Sequence, residues 1–384
     1  MYKRFADIFK TENRIFGLDL LRFVAIVLVV MGHSRWMIET TFPKPLKALL
    51  HGSGILGVEL FFVLSGYLIG GILLKQFQKN NFSLNFKSIK TFWMRRWLRT
   101  LPNYYFILLV YFIVYYLQKP DAMWRYLIFV QNIWNHPPYF FEESWSLCIE
   151  EISYLISPLI LALSAYVFGK NGKGNDSYFL YVSIGLIIFV TMLRMIYSTY
   201  FLPNYMHELD FKWSYQFREV ALIRLDAIYY GFIAAYIAYK KPAFWKQNNV
   251  LLFVIGMLGI MVLMTLQKTI TDEYKGLLSN TFFFTFLSIS IAFILPFLSE
   301  MKTTKLQFIA KPITAISIIS YSLYLINGGL LAENFKQYTN AGQGWNFTQA
   351  LGVYLFYWFL CLTLSSLIFV FFEKPMTDLR NKFK

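Results

Sequence analysis

Cysteine and charged residues are both scarce in this sequence. Only two cysteines, Cys148 and Cys361, occur among 384 residues, and each lies inside an apolar segment, so no disulfide framework is expected. Charged residues make up 15% of the chain, whereas hydrophobic residues make up 57% and the mean hydropathy is +0.48. These values exclude an ordinary soluble domain and indicate a polytopic membrane protein.

Several sequence motifs are missing as well. The chain has no Walker or dinucleotide-binding glycine loop, no connection long enough for an appended soluble enzyme domain, and no evident internal repeat, which disfavours an inverted-repeat transporter. No small-residue cleavage site follows the first apolar run, so we expect a retained signal anchor. The net charge of +15 is scattered in short clusters, which predicts contact with membrane lipids and not with nucleic acid. No metal site is predicted.

Hydropathy windows of about 19 residues predict an all-α fold of about ten transmembrane helices in one membrane domain, residues 1–384. The predicted spans are 16–35, 53–73, 101–118, 145–168, 178–199, 219–239, 249–267, 279–298, 313–331 and 350–372. With a cytoplasmic N-terminus, inner connections hold 23 of the 36 Lys and Arg residues and outer connections hold 10. This bias follows the positive-inside rule and predicts a multi-pass inner (plasma) membrane protein with both termini cytoplasmic.

The first span carries two ionisable residues, Arg22 and His33, in the run GLDLLRFVAIVLVVMGHS. Eleven residues correspond to about three helical turns and roughly 16 Å, so both side chains project from nearly the same face at two depths. Because an ionisable group in hydrocarbon costs at least a few kcal/mol, the pair is a candidate functional site. An alternative is that Arg22 only extends to the inner interface.

The predicted topology places further polar residues in the outer half of the bundle, near His33. We expect a substrate-binding cluster there, formed by Glu59, Arg224, Asp226 and Tyr324. A second interpretation of Glu59 and Arg224 is a structural ion pair between helices. Glu150 and Glu151 lie at a similar depth, but adjacent helical positions diverge by about 100°, so only one of them can face the cavity.

The segment FWMRRWLRTLP supplies a second chemical signal on the inner side. Arg95, Arg96 and Arg99 are spaced three and four apart, so their guanidinium groups can converge on one helix face before a break expected at Pro102. Guanidinium forks suit bidentate phosphate binding. The alternative is a positively charged anchor that contacts anionic lipid.

Two outer regions carry weaker signals. The run AMWRYLIFVQNIW within 119–144 is too short to span, so it is predicted to lie at the outer interface or to re-enter. His51, His136 and His207 fall in outer loops and are expected to be solvated.

Taken together, these motifs resemble acyltransferase family 3, a family of integral membrane acyltransferases. The resemblance covers nearly the whole chain and rests on GLDLLRFVAIVLVVMGHS, GVELFFVLSGYLI, FWMRRWLRTLPNYY, WSLCIEEISYLISP, RLDAIYYG, SYSLYLIN and FFEKP in this order. It implies acyl transfer from a cytoplasmic donor, usually acetyl-CoA, to a hydroxyl of a carbohydrate, often at the extracytoplasmic face. Arg22 and His33 match the family's essential pair, and Arg96 and Arg99 match its two-arginine motif.

The chain departs from the family pattern at two positions. Glu59 replaces a frequent Asp, and Asn327 replaces a frequent His after SYSLYL. Because Asn327 can hydrogen-bond but cannot titrate, no catalytic role is assigned to it. Some relatives complete the transfer with an attached hydrolase-like domain, so a separate extracytoplasmic transferase is a candidate partner here.

A mechanism follows from the resemblance and the predicted depths. The CoA phosphates would bind Arg96 and Arg99 with Arg95 nearby, and the pantetheine arm would extend toward Arg22. His33 would act as general base or as a transient acyl carrier, with Glu150 orienting its imidazole. Arg22 would hold the donor or stabilise the oxyanion.

Two other classes of protein are alternatives. A flippase for a lipid-linked sugar, or a proton-coupled carrier, would also need Arg, His and Glu in a ten-helix bundle. The inner arginine cluster and the lack of matching helix interruptions disfavour it. A non-catalytic scaffold is disfavoured because unused buried charges are costly in lipid.

Overall fold

The structure is a computed structural model that describes residues 14–39, 41, 50, 52–115, 123–135, 140–169, 174–205, 213–273, 277–304, 306–342 and 344–382. His51, His136 and His207 lie outside these residues. Within the described part the chain forms helices and no strand. Cys148 and Cys361 are free and buried, as predicted.

In the part of the chain that the structure describes, ten helices are long and apolar enough to cross a membrane, which confirms the predicted all-α, ten-span fold. They are α1 (Phe16–Ser34), α2 (Ser53–Lys79), α3 (Phe86–Val114), α4 (Ser144–Phe168), α5 (Asp176–Ile196), α6 (Asp226–Lys240), α7 (Asn249–Glu273), α8 (Leu277–Glu300), α9 (Gln307–Ile326) and α10 (Phe347–Ile368). Three of them continue into short π-helical segments: α5 into Tyr197–Phe201, α9 into Asn327–Glu333 and α10 into Phe369–Glu373. Such segments occur frequently at functional sites.

The centre of the bundle is built on α1 and α2. Helix α1 packs against α2, α8 and α9, and α2 packs against α6. Glycine permits the close crossing of α2 and α6, because a Cβ on Gly66 would overlap the carbonyl oxygen of Ile228 and one on Gly231 would overlap that of Val63. Small residues allow the same close backbone approach in membrane helix pairs generally.

Helix α3 corrects one prediction. Pro102 does not end a helix, and the arginine cluster lies on the same continuous helix as the third span, with Pro102 in its interior. Membrane helices tolerate proline because neighbouring groups satisfy the freed backbone carbonyls. Arg95, Arg96 and Arg99 are therefore held on a long helix and not on a flexible connection.

The aromatic run in the connection between α3 and α4 packs back against the protein. After a short helix at Trp124–Leu127, Gln131 and Asn132 are buried, and the Nδ2 atom of Asn132 donates to the carbonyl oxygens of Trp145 (3.1 Å) and Glu219 (2.6 Å). The sulfur of Cys148 lies 2.8 Å from the carbonyl oxygen of Phe129. These contacts bind the end of the run to the start of α4.

The bundle has two ends with different chemistry. We call the end that holds the start of α1 the basic end, because the first half of α3 brings Arg95, Arg96 and Arg99 there. The amide of Gly17 donates to the carbonyl of Met301 there (2.9 Å), which joins the start of α1 to the end of α8. We call the opposite end, where α1 finishes and α4 starts, the His33 end.

Candidate active site

Arg22 is held in a fixed position near the basic end. Its Nη1 atom lies 3.1 Å from Oδ1 of Asp19 and 3.2 Å from Oγ of Ser317. Asp19 also accepts from Arg14 and from Ser317. The side chain of Arg22 is 14% exposed, and it lines both a central cavity and a neighbouring cavity at the basic end. The guanidinium thus faces an internal space and is not merely extended to the interface.

The central cavity has a volume of about 100 Å³ and is lined by both charged and apolar residues. Arg22, Arg96, Arg99 and Glu150 supply the charge, and Tyr321 and Tyr324 supply hydroxyl groups. Side chains from α1, α2, α3, α4 and α9 therefore converge on one space inside the membrane-spanning bundle.

Glu150 is not placed beside the imidazole of His33. Its carboxylate lies 3.2 Å from Nη2 of Arg96, and it accepts hydrogen bonds from Ser65 (2.9 Å) and from Tyr154 (3.0 Å). The structure therefore does not form the predicted contact between Glu150 and His33, because the Glu150 carboxylate points toward Arg96 in the central cavity. Glu151 does not face solvent either, since it is buried and accepts from Thr100 at 2.8 Å.

Arg99 lies where the cavities meet. Its side chain lines the central cavity and two cavities at the basic end, with volumes of about 550 and 670 Å³. Arg380, near the end of the chain, lines both basic cavities, and Arg95 lines the larger one. Arg96 is bound to Glu150, whereas the guanidinium of Arg99 makes no hydrogen bond or ion pair to another described residue. Arg99 thus keeps its donors available to a ligand.

His33 lies at the opposite end and lines a cavity of about 540 Å³. Its Nδ1 atom is 2.6 Å from Oδ1 of Asn327. A Cβ on Gly328 would overlap Oε1 of Glu143 and lie 3.0 Å from Nδ1 of His33. The imidazole and this carboxylate therefore both lie against Gly328, and a larger residue there would have to displace them.

Glu143 is buried just before α4 and held by three groups. It accepts from the amide of Gly329 and from the hydroxyl of Tyr111 (3.0 Å), and its carbonyl accepts from Tyr324 (3.1 Å). Burial raises the pKa of Glu143 to about 6, although the hydrogen bonds from Gly329 and Tyr111 oppose this shift. Burial likewise raises the pKa of Glu219, also at the His33 end, to about 7.

The cavities at the two ends adjoin through the central one. Tyr324 and Val58 line both the central cavity and the His33 cavity, whereas Arg99 lines both the central cavity and the basic cavities. His33 is thus close to a row of internal spaces that leads to the arginine cluster. Tyr324, predicted from the sequence, lies at the junction nearest His33.

The other three residues of the predicted substrate-binding cluster are buried in ion pairs. Nη2 of Arg224 lies 2.6 Å from Oε1 of Glu59, and Nη2 of Arg194 lies 2.6 Å from Oδ2 of Asp226. All four side chains are at most 1% exposed. This geometry corrects the expectation that Glu59, Arg224 and Asp226 contact the substrate, and it matches the structural alternative for Glu59 and Arg224.

Sequence reasoning missed Asp19, Glu143 and Arg380. The spacing of Asp19 three residues before Arg22 could have indicated their ion pair. No local signal identifies Glu143 or Arg380, because the residues that surround them come from distant parts of the chain. Asn327 was singled out, but its contact with His33 joins residues 294 positions apart.

Comparison with known proteins identifies the family. The family model described as an acyltransferase domain, acyltransferase family 3, matches residues 15–372. The chain belongs to this family. Arg22, His33, Arg96 and Arg99 all fall inside the matched region.

Two relatives of this chain come from Staphylococcus aureus. A protein of strain COL named "Putative O-acetyltransferase" is 28% identical over 396 residues, which cover 96% of this chain and 58% of the relative. The O-acetyltransferase OatA of strain NCTC 8325 / PS 47 is 27% identical over 335 residues, 80% of this chain and 49% of the relative. The chain thus spans about half the length of these relatives. No solved structure was found to match it.

Proposed function

We propose that this acyltransferase moves an acetyl group from acetyl-CoA, bound at the basic end, to a hydroxyl of a cell-surface carbohydrate at the His33 end. The basic end would face the cytoplasm and the His33 end the extracytoplasmic side of the inner (plasma) membrane, in keeping with the charge bias of the connections. The observation that carries the proposal is the row of adjoining cavities between Arg99 and His33. The relatives named as O-acetyltransferases support the choice of acetyl.

The donor would bind through its phosphates at the basic end. Arg99 is the leading candidate, because its guanidinium is not engaged by another described residue and borders three cavities. Arg380 and Arg95 would add charge around the same ligand, and Arg96 would contribute while bound to Glu150. Charge-assisted hydrogen bonds from arginine to phosphate are among the strongest in proteins.

The pantetheine arm of the donor would run through the central cavity past Arg22, and its thioester would reach on toward the His33 end. Asp19 and Ser317 hold the Arg22 guanidinium in place, so it can donate to this arm without reorganising. Arg22 would therefore hold the donor, because it lies about 16 Å along α1 from His33, where the bond to the acceptor forms. The apolar lining of the same cavity, which includes Phe61 and Leu68, suits a pantetheine arm.

His33 would act on the acceptor. As general base it takes the hydroxyl proton while the acceptor oxygen bonds to the thioester carbonyl carbon, and the carbon–sulfur bond then breaks with CoA as the leaving group. In the alternative route, His33 carries the acyl group transiently. Glu143, across Gly328, would stabilise the imidazolium that forms in the first route.

The acceptor would occupy the His33 cavity. Trp36 and Trp145 offer aromatic faces there, and Glu142 and Arg218 offer polar contacts. This mixture suits a carbohydrate, either soluble or linked to a lipid. A separate extracytoplasmic transferase remains a candidate partner that receives the acetyl group and completes the transfer.

Sealed vesicles of opposite orientation test this proposal. Radiolabelled acetyl-CoA is supplied to inside-out and right-side-out membrane vesicles that contain wild type, His33→Ala or Lys246→Ala. Lys246 is an exposed basic residue between α6 and α7 and serves as the control. We expect label in the glycan fraction of inside-out vesicles with wild type and Lys246→Ala only, and a glycan mass increased by one acetyl group.

The opposite results are informative. Labelling by His33→Ala at the wild-type rate would exclude His33 as base or acyl carrier. Movement of glycan across the membrane with no incorporation of label would favour a flippase and overturn the acyltransfer proposal. Labelling of right-side-out vesicles alone would reverse the assigned orientation.

A further inference from the structure

The orientation of the Asn327 side chain is determined by its hydrogen bonds. Its Nδ2 atom lies 2.9 Å from the carbonyl oxygen of Leu323 and 2.8 Å from that of Tyr324. Only a donor can satisfy two carbonyl oxygens, so the nitrogen of the amide must face them. The Oδ1 atom consequently faces Nδ1 of His33, at 2.6 Å. Asn327 is 0% exposed, so water does not compete for these contacts.

This orientation determines which ring nitrogen of His33 carries the proton. An amide oxygen accepts and cannot donate, so Nδ1 of His33 must be the donor in the 2.6 Å contact. In the neutral imidazole the lone pair is then on Nε2. The His33 side chain lines the His33 cavity. Its basic nitrogen is Nε2, the ring nitrogen that does not contact Asn327.

The main chain of Asn327 is bound by a separate group. Asn327 opens the π-helical segment Asn327–Glu333 that continues α9, and its carbonyl oxygen accepts from the hydroxyl of Tyr357 on α10 (2.8 Å). Both the main chain and the side chain of Asn327 are therefore bound to neighbouring groups.

We propose that Asn327 is a positioning residue that keeps His33 in its Nδ1-protonated tautomer, so that Nε2 takes the proton of the acceptor hydroxyl. The catalytic consequence rests on the acyltransfer function proposed above. As Nε2 gains the proton, the hydroxyl oxygen bonds to the thioester carbonyl carbon. The carbon–sulfur bond breaks, and the imidazolium returns the proton to the departing sulfur, giving ester and free CoA. Throughout, Nδ1 of His33 keeps its proton and donates the hydrogen bond to Oδ1 of Asn327.

Nitrogen NMR measures the tautomer directly. The full chain is labelled with ¹⁵N-histidine and reconstituted in lipid bilayers, and the His33 signals are assigned by their loss in His33→Ala. For wild type at a pH at which the imidazole is neutral, we expect a protonated Nδ1 and an unprotonated Nε2. Asn327→Asp keeps an acceptor oxygen toward Nδ1, and with its carboxyl protonated the hydroxyl donates to the carbonyl oxygens of Leu323 and Tyr324, so it should retain this spectrum. Asn327→Leu removes the acceptor and should shift His33 toward the Nε2-protonated form.

The control and the activity assay separate positioning from folding. Tyr357→Phe removes the hydrogen bond to the carbonyl of Asn327 but keeps its side chain, and it should leave the tautomer unchanged. Acetyl transfer by Asn327→Leu should fall about 100-fold in kcat with the KM for acetyl-CoA unchanged, as for loss of a general base, and Asn327→Asp should recover most of it.

Two spectra would overturn the proposal: an Nε2-protonated His33 in the wild type, or no change in Asn327→Leu. If the wild type shows the expected tautomer but transfers no acetyl group, the tautomer assignment is supported and the proposed function fails.

Discussion

Breaking the ion pair between Glu59 and Arg224 distinguishes a structural role from a substrate-binding one. Both side chains are 0% exposed, and Nη2 of Arg224 donates only to Glu59 at 2.6 Å. The other two guanidinium nitrogens of Arg224 have no hydrogen-bond partner in the described part of the chain, and its carbon Cζ lies 3.4 Å from the ring centroid of Phe284. Glu59 is therefore the main compensation for a fully buried cation.

The expected magnitudes follow from this burial. Removal of one partner from a buried pair costs about 3–5 kcal/mol, because the remaining charge is left uncompensated. Glu59→Met and Arg224→Met should therefore each lower the folded-to-unfolded ratio by about 10²- to 10⁴-fold. The double variant, Glu59→Met with Arg224→Met, leaves no buried charge and should lie within about 1 kcal/mol of wild type.

Denaturant titration of the four proteins in mild detergent measures this cycle. We expect strong destabilisation of both single variants, recovery in the double variant, and acetyl transfer by the double variant. If the single variants keep wild-type stability while the KM for the acceptor rises, the pair contacts substrate and the structural interpretation is wrong.

Two further outcomes are expected. Arg99→Ala should raise the KM for acetyl-CoA about tenfold or more, because a charge-assisted hydrogen bond contributes about 1.5–3 kcal/mol. The control Lys246→Ala should leave this KM unchanged. Equal KM values for the two variants would contradict the donor site. Burial raises the pKa of Glu143 to about 6 from 4.5, so the folded state holds its proton more tightly and loses stability as pH rises through this range. Glu143→Gln should therefore be more stable than wild type by about 2 kcal/mol at pH 7 and not at pH 4. A difference in thermal unfolding that does not vary with pH would contradict this assignment.

The features that sequence predicted best depend on neighbours along one helix. The ten spans follow from apolar composition, and the shared face of Arg22 and His33 follows from the helical period. The proximity of Arg96 and Arg99 has the same origin. The helix break predicted at Pro102 is absent. The rule that proline breaks helices describes soluble proteins, whereas in a membrane bundle adjacent helices satisfy the freed backbone groups.

The features that sequence could not predict are contacts between distant residues. Glu59 and Arg224 are 165 positions apart, and His33 and Asn327 are 294 apart. The predicted topology gives these residues similar depths in the membrane. It does not determine which side chains face a cavity and which face each other. Glu150 is an example. Its depth predicted a contact with His33, but its carboxylate points toward Arg96 and forms an ion pair there.

Blocking the central cavity tests the central claim most directly, namely that donor and acceptor meet through this space. Ser65 lines it, and Ser65→Trp would fill a cavity of about 100 Å³. Gly185→Trp is the matched control, because no atom lies within 4 Å of a Cβ at that exposed position on α5. We predict that Ser65→Trp still binds adenosine 3′,5′-bisphosphate at the basic end but no longer transfers acetyl, while Gly185→Trp does both. Transfer by Ser65→Trp at the wild-type rate would contradict the account.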